Sequence, residues 1–87
     1  RTAAPPPTEC WRVQIAAPVE AARARVLRET AESLLLVRLE VTPGKGRHAV
    51  KTIECLSGAA ADSLRRRAIA TGFGDAFRVR EPAPSTR

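Results

Sequence analysis

WRVQIA (Trp11–Ala16), followed by an Ala- and Arg-rich stretch and then VRLEV (Val37–Val41), is the segment whose reading decides the fold, because the chain repeats it. HAVKTI (His48–Ile53) leads into a second Ala/Arg-rich stretch and then DAFRV (Asp75–Val79). A displacement of 37 residues superimposes Val13 on Val50, Gln14 on Lys51, Ala24 on Ala61, Leu27 on Leu64, Arg28 on Arg65 and Ala31 on Ala68. One further residue brings Leu39 onto Phe77 and Val41 onto Val79. Two copies of strand–helix–strand predict one βαββαβ domain. Right-handed crossovers place both helices on one side of a four-stranded antiparallel sheet. The expected class is therefore α+β, in the ferredoxin-like or RNP-like strand order 4-1-3-2.

Alternation within the strands separates two faces. Trp11, Val13 and Ile15 oppose Arg12, Gln14 and Ala16, and Val37, Leu39 and Val41 oppose Arg38 and Glu40. Val50 and Thr52 oppose Ala49, Lys51 and Ile53, and Phe77 and Val79 oppose Ala76, Arg78 and Arg80. The open face is expected to carry Arg12, Gln14, Arg38, Glu40, Lys51, Arg78 and Arg80. Pro18 suits the first position of a helix reaching Leu34. Val19, Ala22, Val26, Leu27, Thr30, Ala31 and Leu34 form its expected apolar side. Ser57 is an N-cap for a second helix to Thr71, with Ala61, Leu64, Ala68 and Ile69 inward, and Gly72 ends it. Thr42–Arg47 (TPGKGR) reads as a hairpin loop.

With 87 residues and 44% hydrophobic content, the chain is one small globular domain. RTAAPPPTE over 1–9 reads as a Pro-rich linker and residues 81–87 as a flexible tail, leaving 10–80 as the domain. The start at Arg1 suggests a piece of a longer chain, and a monomeric domain is expected. No apolar run reaches the roughly 20 residues of a membrane span. The net charge of +6 falls on the folded part and favours anionic partners.

Cys10 begins the first strand and Cys55 ends the third. Read as parallel neighbours, those strands hold the thiols roughly 15–20 Å apart, whereas a bridge needs Cα atoms within about 7 Å. Free thiols, or an interchain contact through Cys10, are expected. Catalysis is not: His48 and Cys55 sit at opposite ends of one strand, and Glu54, Asp62 and Asp75 have no convergent partner. Two cysteines and one histidine at these spacings form no metal motif, and no cofactor is implied. The Gly-x-Gly pairs at Gly44–Gly46 and Gly72–Gly74 are turns. RNA binding on this topology requires aromatics on the first and third strands, where Arg12, Gln14, Ala49, Lys51 and Ile53 stand instead. A protein-assembly role, with Arg65, Arg66 and Arg67 contributing, remains the alternative.

The Val13–Gln14 pair, the stretch AAADSLRRRAIATGF (Ala59–Phe73) and the repeat itself, taken in order, resemble the SPOR (sporulation-related repeat) domain. The resemblance spans Trp11 to Val79. It implies a noncatalytic bacterial module, outside the cytoplasm in the periplasm or cell envelope, that binds peptidoglycan glycan strands stripped of stem peptides. Such modules use the open sheet face and bring wall-remodelling and cell-division proteins to the septum. The implied glycan-binding set is Gln14, Arg12, Arg47, Lys51, Phe77 and Arg78. The chain reads VQIAAP and AVKTIEC where the family pattern carries a small polar residue and a third-strand arginine, so Lys51 or Arg47 stands in for that cation.

Overall fold

Six elements follow one another in the computed structural model, which describes residues 10–81: β1 (Cys10–Ala16), α1 (Ala21–Leu35), β2 (Leu39–Gly44), β3 (Arg47–Thr52), α2 (Gly58–Thr71) and β4 (Phe77–Glu81). The expected linker over 1–9 and the tail beyond Glu81 lie outside the described residues, and Glu81 itself closes β4. The strands form one sheet in the order β2-β3-β1-β4, with every neighbouring pair antiparallel. This is the predicted βαββαβ sheet with two helices on one face. Val13, Ile15, Leu39 and Val50 from the sheet meet Ala24, Ala31 and Leu35 of α1 and Ala61, Leu64 and Ala68 of α2 in the core.

The register departs from regularity at one place. Between Gln14 and Ala16 the pairing of β1 with β3 slips, so that Gln14 faces Lys51 and Ala16 faces Val50. Such a bulge adds one residue to one strand and bends it. Nearby, the buried Thr52 hydroxyl accepts from the Val13 amide at 3.1 Å, satisfying a donor that the sheet ladder does not pair.

The hairpin between β2 and β3 is tighter than expected. Only Lys45 and Gly46 lie outside the strands, both with positive φ (52° and 74°), as in the type I′ turn that suits strand twist. At α2 the expected caps hold. Ser57 Oγ accepts from the Ala60 amide at 3.1 Å. Gly72, at φ 123°, lets its amide and that of Phe73 return to Ile69 O and Ala68 O, closing the helix in a Schellman arrangement.

Helix α1 differs from expectation in its start and its buried face. Pro18 does not begin it. The Pro18 carbonyl accepts from the His48 amide at 2.8 Å, the Val19 carbonyl meets His48 Nδ1 at 3.0 Å, and Arg47 Nη1 donates to Ala17 O at 2.9 Å. These contacts tie residues 17–19 to the start of β3, so the helix waits until Ala21. Its buried stripe is Ala24, Leu27, Ala31 and Leu35, while Val19, Val26 and Leu34 are more than half exposed. Two stripes at helical spacing compete in this sequence. Leu27 and Ala31 belong to both; the small Ala24 lets the backbone approach the sheet, leaving Val26 of the expected stripe exposed. Ile69 of α2 is likewise exposed.

The disulfide expectation is overturned. Cys10 and Cys55 are bonded, with Cα atoms 4.6 Å apart, and no described cysteine is free. The error lay in strand direction, not strand order. Antiparallel pairing of β1 with β3 places the start of one beside the end of the other, where Trp11 and Leu56 also exchange backbone hydrogen bonds at 3.0 and 2.8 Å.

Candidate functional site

Cross-strand partners share a face, so the register determines what the open face carries. Arg12 lies beside Val79, Gln14 lies between Lys51 and Phe77, and on the far side Glu40 is paired with Lys51 and Thr42 with Ala49. Of the residues expected there by alternation, Arg12, Gln14, Glu40 and Lys51 are in place, and Arg47, expected from the resemblance, stands on the same face. Arg38 is exposed just ahead of β2.

The fourth strand is inverted relative to its expected alternation. Phe77, Val79 and Glu81 face the open side, and Arg78 and Arg80 face the helix side. There the Arg78 guanidinium sits 4.6 Å from the centroid of the Trp11 ring and that of Arg80 at 5.9 Å. Arg78 Nη1 also donates to the Gly58 carbonyl in the first turn of α2 at 3.2 Å. Two guanidinium groups over an indole take the place of apolar side chains at the margin of the core. A polarity pattern read along one strand cannot anticipate that substitution. Arg78 therefore stands apart from the other candidate glycan-binding residues, whereas Phe77, 46% exposed, joins them.

The middle of the open face is electrostatically self-compensated. Arg12 Nη1 donates to Glu40 Oε2 at 3.0 Å, and Lys51 Nζ donates to Glu81 Oε2 at 3.1 Å. Arg12 Nε lies 3.2 Å from Glu81 Oε1 but at an angle that makes no hydrogen bond, so that contact is an ion pair only. Two cations thus face two carboxylates. The positive potential of the open face is concentrated at the hairpin end, where Lys45 is exposed and Arg47 spends its Nη1 on a neutral carbonyl.

Between these regions lies a shallow depression of about 420 Å³ lined by Gln14, Thr42, Arg47, Ala49 and Lys51 with the turn residues. Among the described residues the Gln14 side chain has no hydrogen-bond partner, so its amide presents both a donor and an acceptor to the depression. Phe77 supplies an apolar platform at one side, Thr42 a hydroxyl at the other, and Arg47 a full charge at one end. Such an arrangement suits a neutral, hydroxyl-rich polymer bearing an occasional carboxylate. Thr42, Lys45 and Glu81 were not anticipated as site residues. Glu81 shares the face of Phe77 and Val79, which alternation had assigned to the covered side, so it escaped with them, whereas extending β2 past Val41 would have found Thr42.

Away from this face, Asp62 of α2 accepts from Arg65 Nη2 at 2.7 Å and pairs with Arg66 Nε at 3.3 Å. The Arg65 hydrogen bond, helped by the charges of Arg65, Arg66 and Arg78, holds its carboxyl below the ordinary aspartate range. Arg67 caps the C-terminal end of α1, donating to Leu35 O at 2.6 Å. The Arg65–Arg67 run is thus engaged in intramolecular contacts. The described residues contain no group of three or more His, Cys, Asp or Glu placed to hold a metal, and no helix long and apolar enough to cross a membrane.

The sequence matches no protein-family model and no curated protein. Among solved structures, it is similar to the peptidoglycan-binding domain of the B. subtilis cell wall lytic enzyme CwlC, determined in solution, with 27% sequence identity and a TM-score of 0.69. The likeness covers 92% of this chain and 99% of that one, so the two share the whole βαββαβ unit.

Proposed function

We propose that this domain is a noncatalytic module of the SPOR type that binds the glycan strands of peptidoglycan through its open sheet face and tethers a larger protein to the cell wall. The observation that carries the reading is the likeness, over nearly the full length of both chains, to a domain whose described role is peptidoglycan binding. The site chemistry supports it. Gln14 addresses hydroxyl and acetamido groups, Phe77 offers a surface to the apolar face of a sugar ring, and Arg47 and Lys51 attract the muramic acid carboxylate that peptide removal exposes. Arg12 acts within the set by holding Glu40 and Glu81 away from that carboxylate. A shallow, open face accepts the interior of a long polymer, and such a ligand places the domain outside the cytoplasm.

Sedimentation of the purified domain with insoluble sacculi, before and after amidase digestion, tests this. Retention should rise after the stem peptides are removed. Gln14→Ala should weaken it by about 3–10-fold, the cost of about one neutral hydrogen bond, with an unchanged thermal midpoint. Equal, negligible retention on both sacculus preparations would refute the proposal.

A further inference from the structure

β4 is an edge strand: it pairs with β1 on one side, and among the described residues no strand pairs with its other side. Its two faces have opposite chemistry. Phe77 and Val79 project to the open face, while Arg78 and Arg80, two residues apart, project to the helix side beside Trp11. Neither arginine meets a carboxylate among the described residues. Asp62, whose carboxyl feels the charge of Arg78, forms its ion pairs with Arg65 and Arg66 instead. Among the described residues, the last strand therefore presents an edge with unpaired backbone groups, cations without an ion-pair partner on one side and apolar side chains on the other.

We propose that this edge is a strand-addition site for an extended acidic peptide in which carboxylate and apolar residues alternate. Backbone groups of the peptide would continue the sheet beyond β4. Acidic side chains, spaced two residues apart, would stand opposite Arg78 and Arg80. The intervening apolar side chains would fall beside Phe77 and Val79, because successive strand residues point to opposite faces. The same charges argue against a second copy of this chain as the occupant. Pairing β4 with β4 while keeping the helices on one side sets arginines opposite arginines, and like charges directly opposite are unfavourable. The edge shares Phe77 with the proposed glycan surface but lies outside the Gln14 depression, and the proposal does not depend on glycan binding.

The chain's single tryptophan, Trp11, lies under both guanidinium groups and reports on the site by fluorescence. A synthetic peptide of alternating Glu and Val should give a saturable change in emission. A peptide of the same composition, with its glutamates in one block, should bind about tenfold more weakly, the combined effect of mismatched cross-strand pairs. Amide exchange should slow for those β4 backbone groups that are unpaired in the free domain. Arg78→Glu with Arg80→Glu should abolish binding of the Glu/Val peptide and create binding of a Lys/Val peptide, which also shows that the variant is folded. Equal binding of the alternating and block peptides, binding without protection of β4 amides, or no binding of either would overturn the proposal. So would sedimentation showing that the free domain dimerises through β4.

Discussion

Breaking the Cys10–Cys55 bond should cost a large share of the stability of this domain. The bond joins residues separated by 45 positions, and closing a loop of that length removes about 4 kcal/mol of chain entropy from the unfolded state. A domain of this size has about 4–11 kcal/mol in all. Cys10 is almost fully buried, so its replacement also affects packing. Chemical reduction isolates the cross-link, and Cys10→Ala with Cys55→Ala serves as its genetic counterpart. Urea unfolding followed by far-ultraviolet circular dichroism should show a midpoint lower by roughly 3 M after reduction, at an m-value of about 1–1.5 kcal/mol/M. The reduced domain should be partly unfolded before any denaturant is added. Oxidised and reduced midpoints within about 0.5 M of each other would refute the loop-entropy argument. Two reactive thiols in protein never exposed to reductant would refute the antiparallel placement of β1 beside β3.

Other perturbations separate the two helix faces and the open-face ion pairs. Leu35→Ala should cost about 2–5 kcal/mol as a fully buried core truncation, and Leu34→Ala less than about 0.5 kcal/mol. A reversal of that ranking in urea unfolding would restore the rival stripe. Leu36 holds a left-handed backbone (φ 58°) and is 84% exposed, so Leu36→Gly should raise stability by about 0.5–1 kcal/mol in the same assay. Arg12→Ala leaves Glu40 without its partner and should cost about 1–2 kcal/mol, reflecting partial solvent screening. Half-molar sodium chloride should narrow that difference, and a salt-independent loss would point to packing instead. Carbon-detected titration of Asp62 should find its midpoint below the ordinary value of about 4. Because its folded-state value is depressed, its stabilising contribution is present above the unfolded value and is lost as pH falls through the folded one. Arg65→Ala should move the midpoint upward.

The elements most legible in the sequence were those whose signals were local or doubled. The repeat fixed the βαββαβ order, Ser57 and Gly72 marked both ends of α2, and Ala61, Leu64 and Ala68 marked its buried face. Three features were not legible because they depend on what another element supplies. The start of α1 depends on His48 and Arg47 holding residues 17–19, which no pattern around Pro18 reveals. The faces of β4 depend on Trp11, which receives Arg78 and Arg80 in place of apolar neighbours. The disulfide depended on strand direction, and the antiparallel sheet already implied by the repeat would have brought Cys10 and Cys55 to the same end. On the candidate site, Gln14, Arg12, Lys51 and Arg47 followed from alternation or resemblance. Phe77 came from resemblance alone and stands on the open face against the alternation reading. The neutralisation of the middle of that face by Glu40 and Glu81 is a three-strand property, visible only once the register is known.

Cys10 and Glu81 are register partners, so the polypeptide enters and leaves the domain at adjacent points on neighbouring antiparallel strands. Tension applied across those two points would peel β4 from β1 one hydrogen bond at a time, the geometry in which a sheet resists mechanical load least. The bond from Cys10 to Cys55 changes that path. Load on the N-terminal side passes directly into the segment between β3 and α2, and β1 stays anchored while β4 alone bears the strain. A domain of this construction would yield first at its last strand while retaining the Gln14 and Lys51 side of its face.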